Sequence, residues 1–286
     1  MIPVLYHMHG FRFLGLAIPP ITIYSYGLML GIGFLLGSYI LSLELKRKKL
    51  DPNMASTITV IAVFSGIAGA KILYLLEEWS DFVRDPMGMA FSPGGLTWYG
   101  GLFLGIISVY VYLRRKRVAQ WKVWDGIGIG LMLGYGVARL GCHLSGDGDY
   151  GFPTSLPWGT DYSRGTFPPS RALAAFPNIV AKFPGGVVPD NTPCQPTPVY
   201  EMILGIIGFA ILWNLRKRPW PDGRLFALYL MVSSIFRFSI EFLRLNPRLF
   251  FGLSEAQLIS IPLFLLGIAG FRYLGNTPRT LSPPAK

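Results

Sequence analysis

Residues 21–45 read ITIYSYGLMLGIGFLLGSYILSLEL and run straight into the basic tetrad Lys46, Arg47, Lys48 and Lys49. The stretch carries no charge until Glu44. A bilayer's hydrocarbon core needs about 20 mostly apolar helical residues. This segment supplies them and ends in a cluster suited to the headgroup region. The rest of the chain repeats the arrangement, with further spans expected at about 55–77, 95–114, 124–144, 198–215, 224–244 and 255–275. Composition agrees: of 286 residues 51% are hydrophobic and 14% charged, with mean hydropathy +0.44, against about 25% charged residues in a soluble domain. The expected fold is all-α, a polytopic membrane protein of about seven transmembrane helices forming one integral membrane domain over 1–286.

The net charge of +11 raises the possibility of a nucleic-acid binder, but the basic residues sit in short clusters between apolar runs and not along one soluble face. No nucleic-acid partner is expected. Sixteen of the 26 Lys and Arg residues fall on one side of a seven-span arrangement: the tetrad at 46–49, Arg114, Arg115, Lys116, Arg117 and Lys122, then Arg216, Lys217, Arg218 and Arg224, and finally Arg272, Arg279 and Lys286. The positive-inside rule then sets the N-terminus outside and the C-terminus in the cytoplasm. The start, MIPVLYHMHGFRFLG, lacks the basic n-region of a cleavable signal, and residues 1–19 are expected to lie at the interface. The longest connection, 145–197, falls on the outer side and is rich in Pro, Gly and Asp; loops of this length are usually functional or disordered. Within it SRALAAFPNIVAKF (170–183) is expected to form a short amphipathic helix. No internal repeat is evident.

The fourth span, WDGIGIGLMLGYGVARLGCHL, is full of glycine, which lets neighbouring helices approach closely and places it centrally in the bundle. It also carries Arg139. An arginine at a helix centre costs about 2.5–3.5 kcal/mol on insertion scales, less where it snorkels to the surface. Either Arg139 snorkels or it builds an anion site facing the interior. The sixth span, LFALYLMVSSIFRFSIEFLRL, favours the second reading. Arg237 and Glu241 stand at i and i+4, on one helical face, and Arg244 follows three residues later. Arginine suits bidentate phosphate recognition, and lipid phosphates lie near that depth. The alternative is an Arg–Glu pair that only joins helices.

Other residues are less decisive. Trp98 reads as an interfacial belt residue. Tyr99 and Tyr26 are belt residues unless they face a cavity, and glycines at 94, 95, 100 and 101 bare the backbone around Tyr99. Lys71, well inside its span, needs a partner such as Glu77 or Glu78. The stretch SGDGDYG lacks the spacing and distal Glu of a calcium loop; its Asp147 and Asp149 are expected to orient the arginines or assist proton transfer. His143 is a candidate base or a hydrogen-bonded structural residue, while His7 and His9 are expected at the interface. Cys142 and Cys194 show no metal spacing and form either a disulfide tying the loop to the fourth helix or free buried thiols. No metal and no cofactor is expected.

Five stretches in order resemble the prolipoprotein diacylglyceryl transferase family: YGLM with Tyr26, GGLTWYGGLFLG, ARLGCHLSGD, QPTPVYE with Tyr200 and Glu201, and FRFSIEFLR. The resemblance implies an enzyme of the bacterial inner membrane that moves diacylglycerol from phosphatidylglycerol to the lipobox cysteine thiol of a prolipoprotein signal peptide. Glycerol-1-phosphate leaves and a thioether forms. Arg139 and Arg237 match the family's functional arginines, and Glu241, Tyr26 and Gly141 also match; the expected site has Tyr99, Arg139 and Arg237 as catalytic residues and Tyr26, His143, Asp147, Glu201 and Glu241 binding the substrates. Tyr99 stands where the family often has a histidine, and Cys142 and Ser145 replace its two asparagines. Two other functions compete: a diverged lipid-modifying transferase with another acceptor, and a non-enzymatic membrane lipid carrier. A transporter would be expected to show inverted repeats.

Overall fold

A computed structural model describes residues 1–8, 11–13, 16–18, 20–92 and 94–275; His9, Arg279 and Lys286 lie outside the described residues. The long helices are α1 (Ser25–Arg47), α2 (Met54–Glu77), α5 (Trp98–Arg115), α6 (Gln120–Ser145), α9 (Thr197–Leu215), α10 (Arg224–Ile240) and α11 (Glu255–Gly275). Short helices α3 (Trp79–Arg84) and α4 (Pro86–Phe91) join α2 to α5, while α7 (Pro169–Ala172) and α8 (Pro177–Val180) lie in the 145–197 connection. Among the described residues six helices are long and apolar enough to cross a membrane. At the third expected span, 95–114, stands α5, with an aromatic pair at its start and Arg114 and Arg115 in its last turn. The membrane-spanning, mostly helical fold agrees with the sequence.

The helices end where their chemistry dictates. Lys46 and Arg47 occupy the last turn of α1, where cations meet the negative end of the helix dipole. Helix α6 stops at Ser145, and Gly146 follows with φ +59°, a left-handed conformation that glycine adopts without penalty. Large apolar side chains face outward along the long helices, among them Leu35, Phe64, Ile67, Leu76 and Leu266. Such a surface would be a liability in water and is the expected face toward lipid.

Two stretches take a form that composition did not announce. The described residues within 1–24 form two short antiparallel ribbons: β1 (Val4–Met8) pairs with β4 (Ile21–Tyr24), and β2 (Phe11–Phe13) with β3 (Leu16–Ile18). His7 pairs across the first ribbon with Thr22, its Nδ1 2.8 Å from the hydroxyl. The stretch 170–183 is not one amphipathic helix. Pro177 starts a new turn and leaves the one-turn helices α7 and α8, because proline removes a helical N–H and clashes with the preceding turn.

The chain divides into two compact units, residues 1–37 with 127–286, and residues 38–126. In the first, α10 packs against both α9 and α11. Helix α6 crosses α1 at Gly134 and α9 at Gly136: a Cβ added to Gly33 would lie 2.9 Å from the Gly134 carbonyl oxygen, and one added to Gly205 would lie 2.8 Å from the Gly136 Cα. Within this unit the glycine-rich helix therefore runs between two neighbours, as its composition implied. With lipid as solvent no hydrophobic force drives helices together, so backbone approach at small residues carries the association. Gly205→Val is expected to lower the melting temperature of the detergent-solubilised protein, by overpacking worth about 1–3 kcal/mol. An unchanged melting curve would show that α6 and α9 do not meet at this point.

In the second unit α2 packs on α5. Lys71 does not pair with Glu77 or Glu78. Its ammonium donates to the Ser92 carbonyl (3.1 Å), the Ser92 hydroxyl (2.9 Å) and the Gly94 carbonyl (2.9 Å). These acceptors end the connection that folds back over α2, and they satisfy an ammonium without a carboxylate. Glu77 instead accepts from the Thr97 hydroxyl at 2.6 Å.

Candidate active site

The connection 145–197 is a packed structure with its own core. Tyr150 and Tyr162 stack with ring centres 4.2 Å apart, and Leu173, Val188 and Cys194 close around them. His143 joins this core: its Nδ1 lies 3.0 Å from the Tyr162 hydroxyl and the rings meet edge to face. Cys142 and Cys194 are both free and buried, which rules in the thiol alternative and not the disulfide. Burial pushes the Cys194 thiol up to about 12, so it stays protonated and unreactive at neutral pH.

This core delivers one side chain to the helices. Gly151 donates its N–H to the Gln195 carbonyl at 2.9 Å and bridges to Arg244. A Cβ there would press on Thr197 Cγ2 at 2.9 Å and Gln195 Cβ at 3.0 Å, so only glycine permits the approach. The Thr197 hydroxyl donates to the Asp149 carbonyl at 2.7 Å. With its backbone held at both ends, Asp149 points its carboxylate at two arginines. Arg139 Nη1 donates to Oδ2 and Arg244 Nη2 to Oδ1 at 2.6 Å. Burial alone would raise the Asp149 pKa, but Arg244 and Arg139 outweigh it and hold the carboxyl below its ordinary range.

Glu201, at the start of α9, is the centre of the cluster. Its carboxylate accepts from Arg237 Nη1 at 3.0 Å, from Arg244 Nη1 at 2.9 Å and from the Tyr135 hydroxyl at 2.6 Å, and lies 3.3 Å from Arg139 Nε. Glu241 meets Arg237 Nη2 at 3.1 Å, as the i, i+4 spacing predicted, and accepts from Asn246 Nδ2. Three guanidinium groups thus face three carboxylates: Glu201, Glu241 and Asp149. Taking charges out of water costs several kcal/mol per ion unless they are paired and hydrogen-bonded, and here each arginine touches at least two carboxylates.

The structure brings Arg139, Arg237, Glu201 and Glu241 into one cluster. Tyr26 of α1 lies against α6 two residues beyond Arg139, where a Cβ added to Gly141 would come within 3.1 Å of the Tyr26 Cα. Asp147 sits at the rim, where its carboxylate accepts from the Cys142 thiol and, at 3.3 Å, from the Asp149 N–H. Of the two aspartates expected to orient the arginines, Asp149 is the one that touches them. Tyr99 belongs to the second unit, in the first turn of α5, edge-on to Trp98 with ring centres 5.3 Å apart. Asp149, as expected of it, and Arg244 complete the cluster, together with Tyr135 and Asn246. The R-x-x-x-E-x-x-R spacing signalled Arg244. No local pattern signalled Tyr135, which is an ordinary tyrosine in a glycine-rich run.

Helices long and apolar enough to span a membrane thus carry a charge-balanced arginine cluster at the base of a packed polar loop, the architecture of an integral membrane protein. A profile of the prolipoprotein diacylglyceryl transferase family matches residues 14–273; the chain belongs to that family. It is 29% identical to a phosphatidylglycerol–prolipoprotein diacylglyceryl transferase of Clostridium tetani, over 95% of this chain and 97% of that one. Proteins of the same name from Trichormus variabilis and Streptococcus uberis are each 30% identical, covering 92% and 88% of this chain and 90% of each relative.

Proposed function

We propose that this protein transfers the diacylglyceryl group of phosphatidylglycerol to the thiol of a lipobox cysteine in prolipoprotein signal peptides. The observation that carries the reading is the family match across residues 14–273, and the arginine cluster supplies its chemistry. The membrane is the bacterial inner membrane, with the N-terminus and the 145–197 loop on the periplasmic side and the C-terminus in the cytoplasm, as the basic clusters direct.

Arg139 and Arg237 hold the lipid phosphate and meet the charge that grows on it as the glyceryl carbon–oxygen bond breaks. Arg237 and Arg139, with 28% and 17% of the side chain exposed, are open to a ligand as folded, whereas Arg244, at 6%, is covered by Asp149 and Glu201. Glu201 and Glu241 hold the guanidinium planes. The acceptor thiol, with a reference pKa of about 8.5, gives its proton to a base as its sulfur bonds to the glyceryl carbon. Glycerol-1-phosphate leaves with the bonding electrons. Of the carboxylates and the histidine near Arg139, Asp147 suits that role best. It is at the exposed rim, and burial on its protein side together with the Asp149 charge raises its pKa, which makes it a better base than Asp149. His143 is engaged by Tyr162 and Glu241 is fully buried among donors. Tyr26 positions the lipid.

Purified protein given labelled phosphatidylglycerol and a lipobox peptide is expected to yield peptide heavier by one diacylglyceryl group. A base with a raised pKa must be unprotonated to act, so the rate falls as pH drops through the Asp147 value, and Asp147→Asn abolishes that limb of the profile. Bound lipid without any modified peptide would instead favour a carrier.

A further inference from the structure

The cluster as folded has no charge to spare. Three arginines are matched by three carboxylates, and a phosphodiester brings one more negative charge to the same place. For the arginines to grip it with forked N–H donors, one carboxylate has to let go. The three are not equally held. Glu201 and Glu241 are 1% and 0% exposed. Glu201, near the start of α9, has three arginines and Tyr135 around it, and Glu241 is enclosed by Arg237, Arg244 and Asn246. The Asp149 side chain is 33% exposed and touches only Arg139 and Arg244 among the arginines.

Its geometry also matches the ligand. The two Asp149 oxygens each take one N–H, Oδ2 from Arg139 and Oδ1 from Arg244. The two non-bridging oxygens of a phosphodiester present the same pair of acceptors to the same pair of donors. Release needs no loop movement. The backbone is anchored through the Asp149 carbonyl to Thr197 and through Gly151 to Gln195, so rotation about the side-chain bonds is enough to swing the carboxylate toward solvent.

We propose that Asp149 is a placeholder: its carboxylate occupies, between Arg139 and Arg244, the position that the lipid phosphate takes, and yields it by side-chain rotation when the lipid enters. The placeholder keeps two buried guanidinium groups paired while the site is empty, and lets the site discard weakly bound anions. Arg244 thereby becomes a phosphate-binding residue alongside Arg139. This rests on the reading of the cluster as the lipid phosphate site.

The test uses the full-length protein in nanodiscs of a zwitterionic lipid, with phosphatidylglycerol as probe and no acceptor peptide, so that binding is read without turnover. Glycerol-1-phosphate serves as a second, soluble probe. Asp149→Asn is expected to bind phosphatidylglycerol roughly tenfold more tightly than the wild type, the size of effect expected when one charge-assisted competitor is removed. Tighter binding of both probes identifies the phosphate as the group recognised; tighter binding of the lipid alone identifies the lipid headgroup in its membrane setting. Asp149→Ser repeats the measurement should the amide variant fold poorly. Unchanged or weaker binding in the folded variants overturns the proposal, as does lost turnover at unchanged affinity, which would make Asp149 a base. A wild-type protein that binds neither probe overturns the phosphate-site reading itself.

Discussion

Glu201→Ala is expected to abolish transfer and to lower the melting temperature by several degrees. Glu201 is the one carboxylate that meets all three arginines, with Tyr135 as a fourth partner. Its removal leaves three guanidinium groups facing two carboxylates in a buried place. Removing one partner of a buried ion pair typically costs about 3–5 kcal/mol, because the remaining charge is stranded. Glu201→Gln keeps an acceptor for the Tyr135 hydroxyl but not the charge, and should fall between the alanine variant and the wild type in thermal melts. Asp149 is expected to behave differently: both are carboxylates of one cluster, but deleting the enclosed Glu201 should collapse the site, whereas deleting the half-buried Asp149 should open it. A Glu201→Ala protein that melts and turns over like the wild type would show that the arginines are held by something else.

Arg139→Ala is expected to reduce transfer from phosphatidylglycerol to a lipobox peptide by about 10²–10³-fold, the typical loss when one preorganised donor to a developing oxyanion is removed. Arg139→Lys should recover little. Arg139 spreads its donors between Asp149 and Glu201, and an ammonium has no planar fork with which to do this. The readout is the rate with saturating peptide at several lipid concentrations, which separates lost binding from lost chemistry. Transfer at the wild-type rate in Arg139→Ala would remove the arginine from the reaction and with it the site assignment.

Much of this architecture is legible in the chain. A run such as 21–45 has to be a membrane helix, because only a helix satisfies its backbone hydrogen bonds internally in lipid. Glycines at 130, 134 and 136 announce close neighbours for α6, and at Gly33, Gly37 and Gly205 the neighbours present glycine in return. The pair Arg237–Glu241 follows from helical geometry alone, since i and i+4 share a face. The amphipathic reading of 170–183 failed where Pro177 had already announced a break, and the expected Lys71–carboxylate pair failed because backbone carbonyls can satisfy an ammonium equally well.

The sequence by itself determined the membrane-spanning helices, the faces on which their charges lie, and the family to which the chain belongs. Only the tertiary structure decided that residues 139, 149, 201, 237 and 244 meet, and that Glu201 and Asp149 divide the arginines between them. The physical reason is that periodicity encodes which face of a helix a residue occupies, whereas the partner on that face depends on how the helices cross. The crossing of α6 with α9 rests on two glycines 69 residues apart in the chain, Gly136 and Gly205. The position of Asp149 rests on a loop core whose stacked tyrosines, Tyr150 and Tyr162, carry no pattern that a reading along the chain can recognise.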